Sequence, residues 1–199
     1  MLPALKENPE TKNHPTKVDG LAEEEQRKAE QRAQRKAPRC IICMGLPGSG
    51  KSTFAYHLAK SFPPENSWLV LNQDRLGKRE CERLAGTCNS KRHRVILDRC
   101  NPKESERATW LEKLRSPAKG DVALVYFAMD AETCARRVAS RTGHETIPKG
   151  SRSGRRIVTE MENLLEPPTP SEEKRFGSVH VVHTFEDAEE VLRSFGARV

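Results

Sequence analysis

The sequence predicts an α/β fold in which five short strands form a mainly parallel sheet flanked by helices, with an arginine-rich segment beside it. Three observations lead there. Apolar runs of four to seven residues alternate with stretches of helical pattern. The first run, Cys40-Ile41-Ile42-Cys43-Met44, leads at once into Gly45-x4-Gly50-Lys51-Ser52. Basic charge collects late in the chain: Arg136 to Arg156 holds seven Arg or Lys against one Glu, in a protein of net charge +7.

Taken in order, residues 1–19 carry prolines, lysines and almost no apolar side chains, and are expected to be disordered. Residues 20–37 read as a solvated helix, with Glu23-Glu24-Glu25 leading and Arg27, Lys28, Arg32, Arg35 and Lys36 following. Residues 1–38 are therefore an N-terminal extension, and 39–199 the folded domain. The first strand is Cys40–Met44. The first helix runs from Lys51 to Ser61 and stops at Pro63-Pro64. Trp68–Leu71 is the second strand, and Lys78–Ser90 a charged helix. Arg94–Asp98 is the third strand, followed by a helix from Pro102 and Ser105 to Leu114. Val122–Ala128 is the fourth, followed by a helix over Ala131–Arg141. Residues 142–154, rich in Gly, Ser and Arg, read as a lid, and Arg155–Leu165 as a helix ended by Pro167. Val179–Val182 is the fifth strand and Glu186–Phe195 the last helix. Trp68 and Trp110 fall inside regular elements and read as core.

In a parallel α/β sheet, ligands lie at the carboxyl ends of the strands, so candidate functional residues are those that follow each strand. After the first strand comes a complete phosphate-binding loop. Gly45, Gly48 and Gly50 let the backbone form a nest of N–H donors, with Pro47, Ser49 and Thr53 completing the stretch. Lys51 can reach terminal phosphates and the Ser52 hydroxyl can ligate Mg²⁺. After the second strand, Asn72-Gln73-Asp74 offers a carboxylate able to accept a proton from an attacking hydroxyl. Asp98 ends the third strand, where an acidic group can serve the metal. Met129-Asp130 reads as a helix cap. Arg137 and Arg141 share a helix face at i, i+4 and can neutralise a moving phosphoryl group. His144 reads as a surface residue of the lid.

The combination Gly45-Leu46-Pro47-Gly48-Ser49-Gly50-Lys51-Ser52-Thr53, Asn72-Gln73-Asp74 and Val95-Ile96-Leu97-Asp98-Arg99-Cys100-Asn101-Pro102, with Arg107 and Trp110 beyond, resembles the polynucleotide 5′-kinase group. That group includes the kinase domains of phage polynucleotide kinase and of DNA-repair kinase-phosphatases, and kinase-like domains attached to aprataxin-type proteins. The resemblance implies a P-loop kinase with a lid, ATP and Mg²⁺ as cofactors, and a DNA or RNA 5′ end as acceptor. It gives Asp74 the general-base role, Lys51 and Ser52 the phosphate and magnesium roles, and Arg137 with Arg141 the role of lid arginines ahead of Pro148. Three positions depart from the group: Gln73 stands for an arginine, Gly77 lies three residues after Asp74 where phage enzymes place an arginine, and Cys100 stands for a threonine. No paired-aspartate phosphatase motif is present.

The same residues also admit a kinase of a small metabolite, or a nucleotide-dependent module that binds nucleic-acid ends without turnover. No apolar run reaches transmembrane length and no secretory signal is apparent. An intracellular setting, nucleus or cytoplasm, is expected, with no membrane partner. The six cysteines then read as small, mostly buried thiols, Cys40-x2-Cys43 included, rather than as a zinc site. Aromatic residues are 5% of the chain, so no stacking platform for bases is evident.

Overall fold

In the computed structural model, residues 37–89, 94–114, 119–140 and 152–198 are described. The N-terminal extension up to residue 36, Arg141, His144, Pro148 and the lid as far as residue 151 lie outside them.

The strands are β1 (Cys40–Gly45), β2 (Trp68–Asn72), β3 (Arg94–Asp98), β4 (Val122–Phe127) and β5 (Ser178–Val182). All four pairings are parallel and the order is β2-β3-β1-β4-β5. The central strand is buried at every position, which is why β1 reads as a continuous apolar run rather than an alternating one. Its residues point alternately into two cores. Ile41 and Cys43 join Phe54, Leu58 and Leu192 on one face, and Cys40, Ile42 and Met44 join Leu97, Trp110 and Leu114 on the other.

The helices that cover these faces are α1 (Lys51–Lys60), α2 (Gln73–Leu76), α3 (Lys78–Ala85), α4 (Glu104–Leu114), α5 (Ala131–Ser140), α6 (Arg152–Leu164), α7 (Pro170–Glu173) and α8 (Phe185–Ser194). α1 packs with α8 on the first face, and α3 with α4 on the second. α5 and α6 pack together at the end of the sheet, where Cys134, Ala135, Val138 and Val158 enclose Leu46 of the glycine-rich loop.

Three local features go beyond the sequence reading and have physical causes. Asn72 caps α2, its side chain accepting from the Arg75 N–H at 3.2 Å, so Asp74 sits in the first turn of a short helix. The charged helix stops at Ala85 and tightens into a 3₁₀ turn over Gly86–Asn89. The proline-rich stretch contains α7, started by Thr169 as N-cap and Pro170 at the first helical position. Asp130 caps α5 as expected, accepting from the Thr133 N–H at 2.7 Å, and Trp68 and Trp110 are buried in the cores.

The cysteines divide. Cys43, Cys81, Cys100 and Cys134 are free thiols, whereas Cys40 is disulfide-bonded. The expectation of six unpaired thiols is corrected on that point, since separation along a chain does not reveal which sulfurs the fold brings together. Burial, and then the nearby Asp98 charge, push the Cys43 thiol far above its usual range, so it is an inert part of the core.

Candidate active site

The loop between β1 and α1 is shaped by close approach. Gly48 has φ +87°, and a Cβ there would lie 2.6 Å from the Cys134 carbonyl oxygen; only glycine fits. Gly45, at φ +138°, is pressed equally close to the Phe127 carbonyl. Gly50, also left-handed, is the N-cap of α1 and leaves the first N–H groups of that helix without a side-chain cap. An anion in the loop would meet those donors and the positive end of the helix dipole.

Lys51 is buried, and its ammonium donates to Gly45 O at 3.0 Å, Leu46 O at 2.6 Å and Ser49 Oγ at 3.3 Å. All three acceptors are uncharged, so the positive charge is held over the loop by neutral oxygens. Ser52 Oγ donates to Asp98 Oδ1 at 3.1 Å, and Asn72 Nδ2 donates to Asp98 Oδ2 at 2.8 Å. Asp98 is only 6% exposed, and both carboxylate oxygens are fixed by these donors. Three segments far apart in the chain thus join through one carboxylate.

The turn after β3 is fastened to the loop. Gly45 N–H donates to Cys100 O at 3.0 Å, and Asn101 Nδ2 donates to Cys43 O at 2.7 Å. Asn101 takes φ +42°, a conformation its short amide tolerates. Behind it lies Arg107, fully buried. Its guanidinium donates to both oxygens of Glu172 at 2.7 Å, to Asn101 O at 3.0 Å, to Pro102 O at 2.9 Å and to Glu166 O at 3.0 Å. Five N–H groups find five acceptors, which offsets the cost of taking the guanidinium charge out of water.

Two cavities flank the loop. The polar one, of about 350 Å³, is lined by Pro47, Lys51, Ser52, Asp74, Asp98 and Cys100, with Ile157 and Met161 of α6 across from them. Asp74 is exposed and faces the same space as Lys51 and Ser52. The second cavity, of about 460 Å³, is more apolar: Phe54, Phe127, Val182, Phe185 and Leu192 share it with Thr53, Ser49 and Arg137. Gly48 and Gly50 border both.

Of the residues singled out in the sequence, Pro47, Gly48, Gly50, Lys51, Ser52, Asp74 and Asp98 gather at the polar cavity. Ser49, Thr53 and Arg137 border the apolar one. Gly45 shapes the loop from beneath. Arg137 therefore lies on the other side of the loop from Asp74, and its expected companion Arg141 is outside the described residues. Sequence reasoning missed Phe185, which is 68% exposed although aromatic. The available signal was its position at the helix start that follows the last strand, where the sheet's ligand edge continues.

Ser52 and Asp98 present adjacent hard oxygens, a donor set that suits Mg²⁺, which takes few protein ligands and completes its shell with water and phosphate. Among the described residues no cluster of three or more His, Cys, Asp or Glu is placed to hold a metal unaided. No described helix is long and apolar enough to cross a membrane.

No family model matches the chain. Among curated proteins it is similar to Transcription factor bHLH140 of Arabidopsis thaliana, 29% identical over 153 residues. That match takes in 75% of this chain but only 16% of the length of the other protein. Among solved structures, a fungal RNA kinase aligns with TM-score 0.57 at 16% identity, covering 80% of this chain and 84% of that one. A gluconokinase from Sinorhizobium meliloti 1021 aligns with TM-score 0.51 at 21% identity over 80% of this chain and 89% of that one. A sugar kinase from Janibacter sp. HTCC2649 aligns with TM-score 0.54 at 18% identity over 78% of this chain and 91% of that one. At such identities the likeness is one of fold.

Proposed function

Because the chain has the fold of the P-loop kinases, we propose that it is an ATP-dependent polynucleotide 5′-hydroxyl kinase. The observation that carries this reading is the convergence of three distant segments on one polar cavity: the loop with Lys51 and Ser52, Asp74 after β2, and Asp98 after β3. A general base, an anion cradle and a metal-suited oxygen pair within one space are the parts that phosphoryl transfer to an alcohol requires.

In this reading ATP lays its phosphates on the N–H nest, and its base enters the apolar cavity between Arg137 and Phe185. Lys51 turns from the loop carbonyls toward the terminal phosphates. Ser52 and Asp98 would hold Mg²⁺, which when bound neutralises phosphate charge. Asp74 accepts the proton of the incoming 5′-hydroxyl, and Asn72 keeps Asp98 aimed. Arg137 serves the nucleotide from the apolar side; a partnership with Arg141 at the moving phosphoryl remains part of the proposal.

The likeness to a gluconokinase favours a second reading, a kinase of a small sugar acid, since the polar cavity is small enough to enclose one. Incubation with γ-labelled ATP and, side by side, 5′-hydroxyl oligonucleotides and a panel of sugar acids separates the two. Label on the oligonucleotides, abolished in Asp74→Asn, is the expected result. Label only on a sugar acid would overturn the polynucleotide reading. Label on neither, with ATP still bound, would leave a binding module.

A further inference from the structure

Beyond Asp74 the polar cavity adjoins another. Gln73 and Arg99 line both it and an outer cavity of about 400 Å³, whose further walls include Lys78 and Glu82 of α3 and Glu106 and Lys113 of α4. Two atoms in that wall stand out. Gln73 Oε1 and Glu106 Oε2 are buried and have no hydrogen-bond partner among the described residues. Both are acceptors, and buried acceptors are normally satisfied. A ligand that fits here must bring donors.

The charges select further. Lys78, Arg99 and Lys113 outnumber Glu82 and Glu106. Lys113 is paired with Glu82 at 3.3 Å, and the Arg99 guanidinium lies 5.7 Å from the centre of the Trp110 ring. Lys78 is exposed at the rim. An anion is therefore accepted in the same cavity as the two unsatisfied acceptors. A ribonucleotide joins both features, because its 2′-hydroxyl donates and its phosphate is anionic; a deoxyribonucleotide has the phosphate alone.

We propose that the outer cavity receives the leading nucleotides of the acceptor strand and favours ribose over deoxyribose through Gln73 and Glu106. This rests on the polynucleotide reading above. It makes the Gln73 that replaces the group's arginine a specificity residue.

The test uses the full chain and three 5′-hydroxyl oligonucleotides of one sequence: all RNA, all DNA, and RNA with 2′-deoxy sugars at the first two positions. The expected kcat/KM for RNA exceeds that for DNA by roughly tenfold or more, with the chimera close to DNA. In Glu106→Met, and independently in Gln73→Met, the gap between RNA and chimera should close to within about twofold. Retained ATP affinity shows each variant to be folded. Equal turnover of RNA and DNA by the native chain overturns this inference and leaves the kinase reading standing. So does a gap that persists undiminished in both variants. Absence of transfer to all three oligonucleotides overturns the polynucleotide reading and this inference with it.

Discussion

The two cavities that meet at the phosphate-binding loop differ in chemistry because they are fed by different strands. On the side of β3 and β2 the strand ends supply Asp98 and Asn72-Gln73-Asp74, so that cavity is polar and carries two carboxylates beside Lys51 and Arg99. On the side of β4 and β5 they supply Phe127 and Thr184-Phe185, so the other is more apolar, with Arg137 and Arg198 at its wall. The strand order turns at β1, and the loop that follows β1 stands at the division. One loop can thus hold the middle of a ligand whose two ends need opposite surroundings. In the proposed function, reaction belongs to one side and retention to the other.

Substitutions on the two sides should therefore change different kinetic parameters. The largest effect is expected from Asp74→Asn, which removes the proton acceptor: kcat falls by about 10²–10⁴-fold while ATP affinity measured by calorimetry is retained. Next, Asp98→Asn weakens the metal site, raising the Mg²⁺ concentration for half-maximal rate about 10–100-fold. On the apolar side, Phe185→Ala is expected to raise KM for ATP roughly tenfold with little change in kcat, by loss of stacking against the base. Should Asp74→Asn and Phe185→Ala alter the same parameter, the division between the sides is wrong.

The smallest effect concerns stability. His180 on β5 packs edge-on against Phe195 at 5.1 Å, and burial holds its imidazole below the usual 6.5. The unfolded chain then takes up the proton more readily than the folded one. Stability from this group is complete above about 6.5 and is lost as pH falls through the window beneath it. A melting series from pH 7.5 to 5 should slope downward, and His180→Leu should flatten it.

Much of this was legible in the chain. The inner strands show as apolar runs because a sheet covered on both faces needs apolar residues at successive positions, as in Val122–Phe127. The loop shows because few residue types can occupy its conformation. Asp74 and Asp98 were singled out by their place at a strand end. Phe185 and Glu106 were not, for related reasons. An aromatic residue and a glutamate at helix starts are ordinary until the fold sets one at a cavity wall and leaves the other without a donor. The Arg107–Glu172 pair was equally hidden, its members being 65 positions apart.

That pair has a mechanical consequence. By tying Glu166 and Glu172, which follow α6, to the Asn101-Pro102 turn, Arg107 makes the α7 end of the molecule and the β3 turn into a single anvil. Gly45 and Asn101 bolt that anvil to the central strand. The floor of the polar cavity is thus one piece, in which the central strand, the turn after β3 and the stretch after α6 are held together by side chains rather than by the sheet alone.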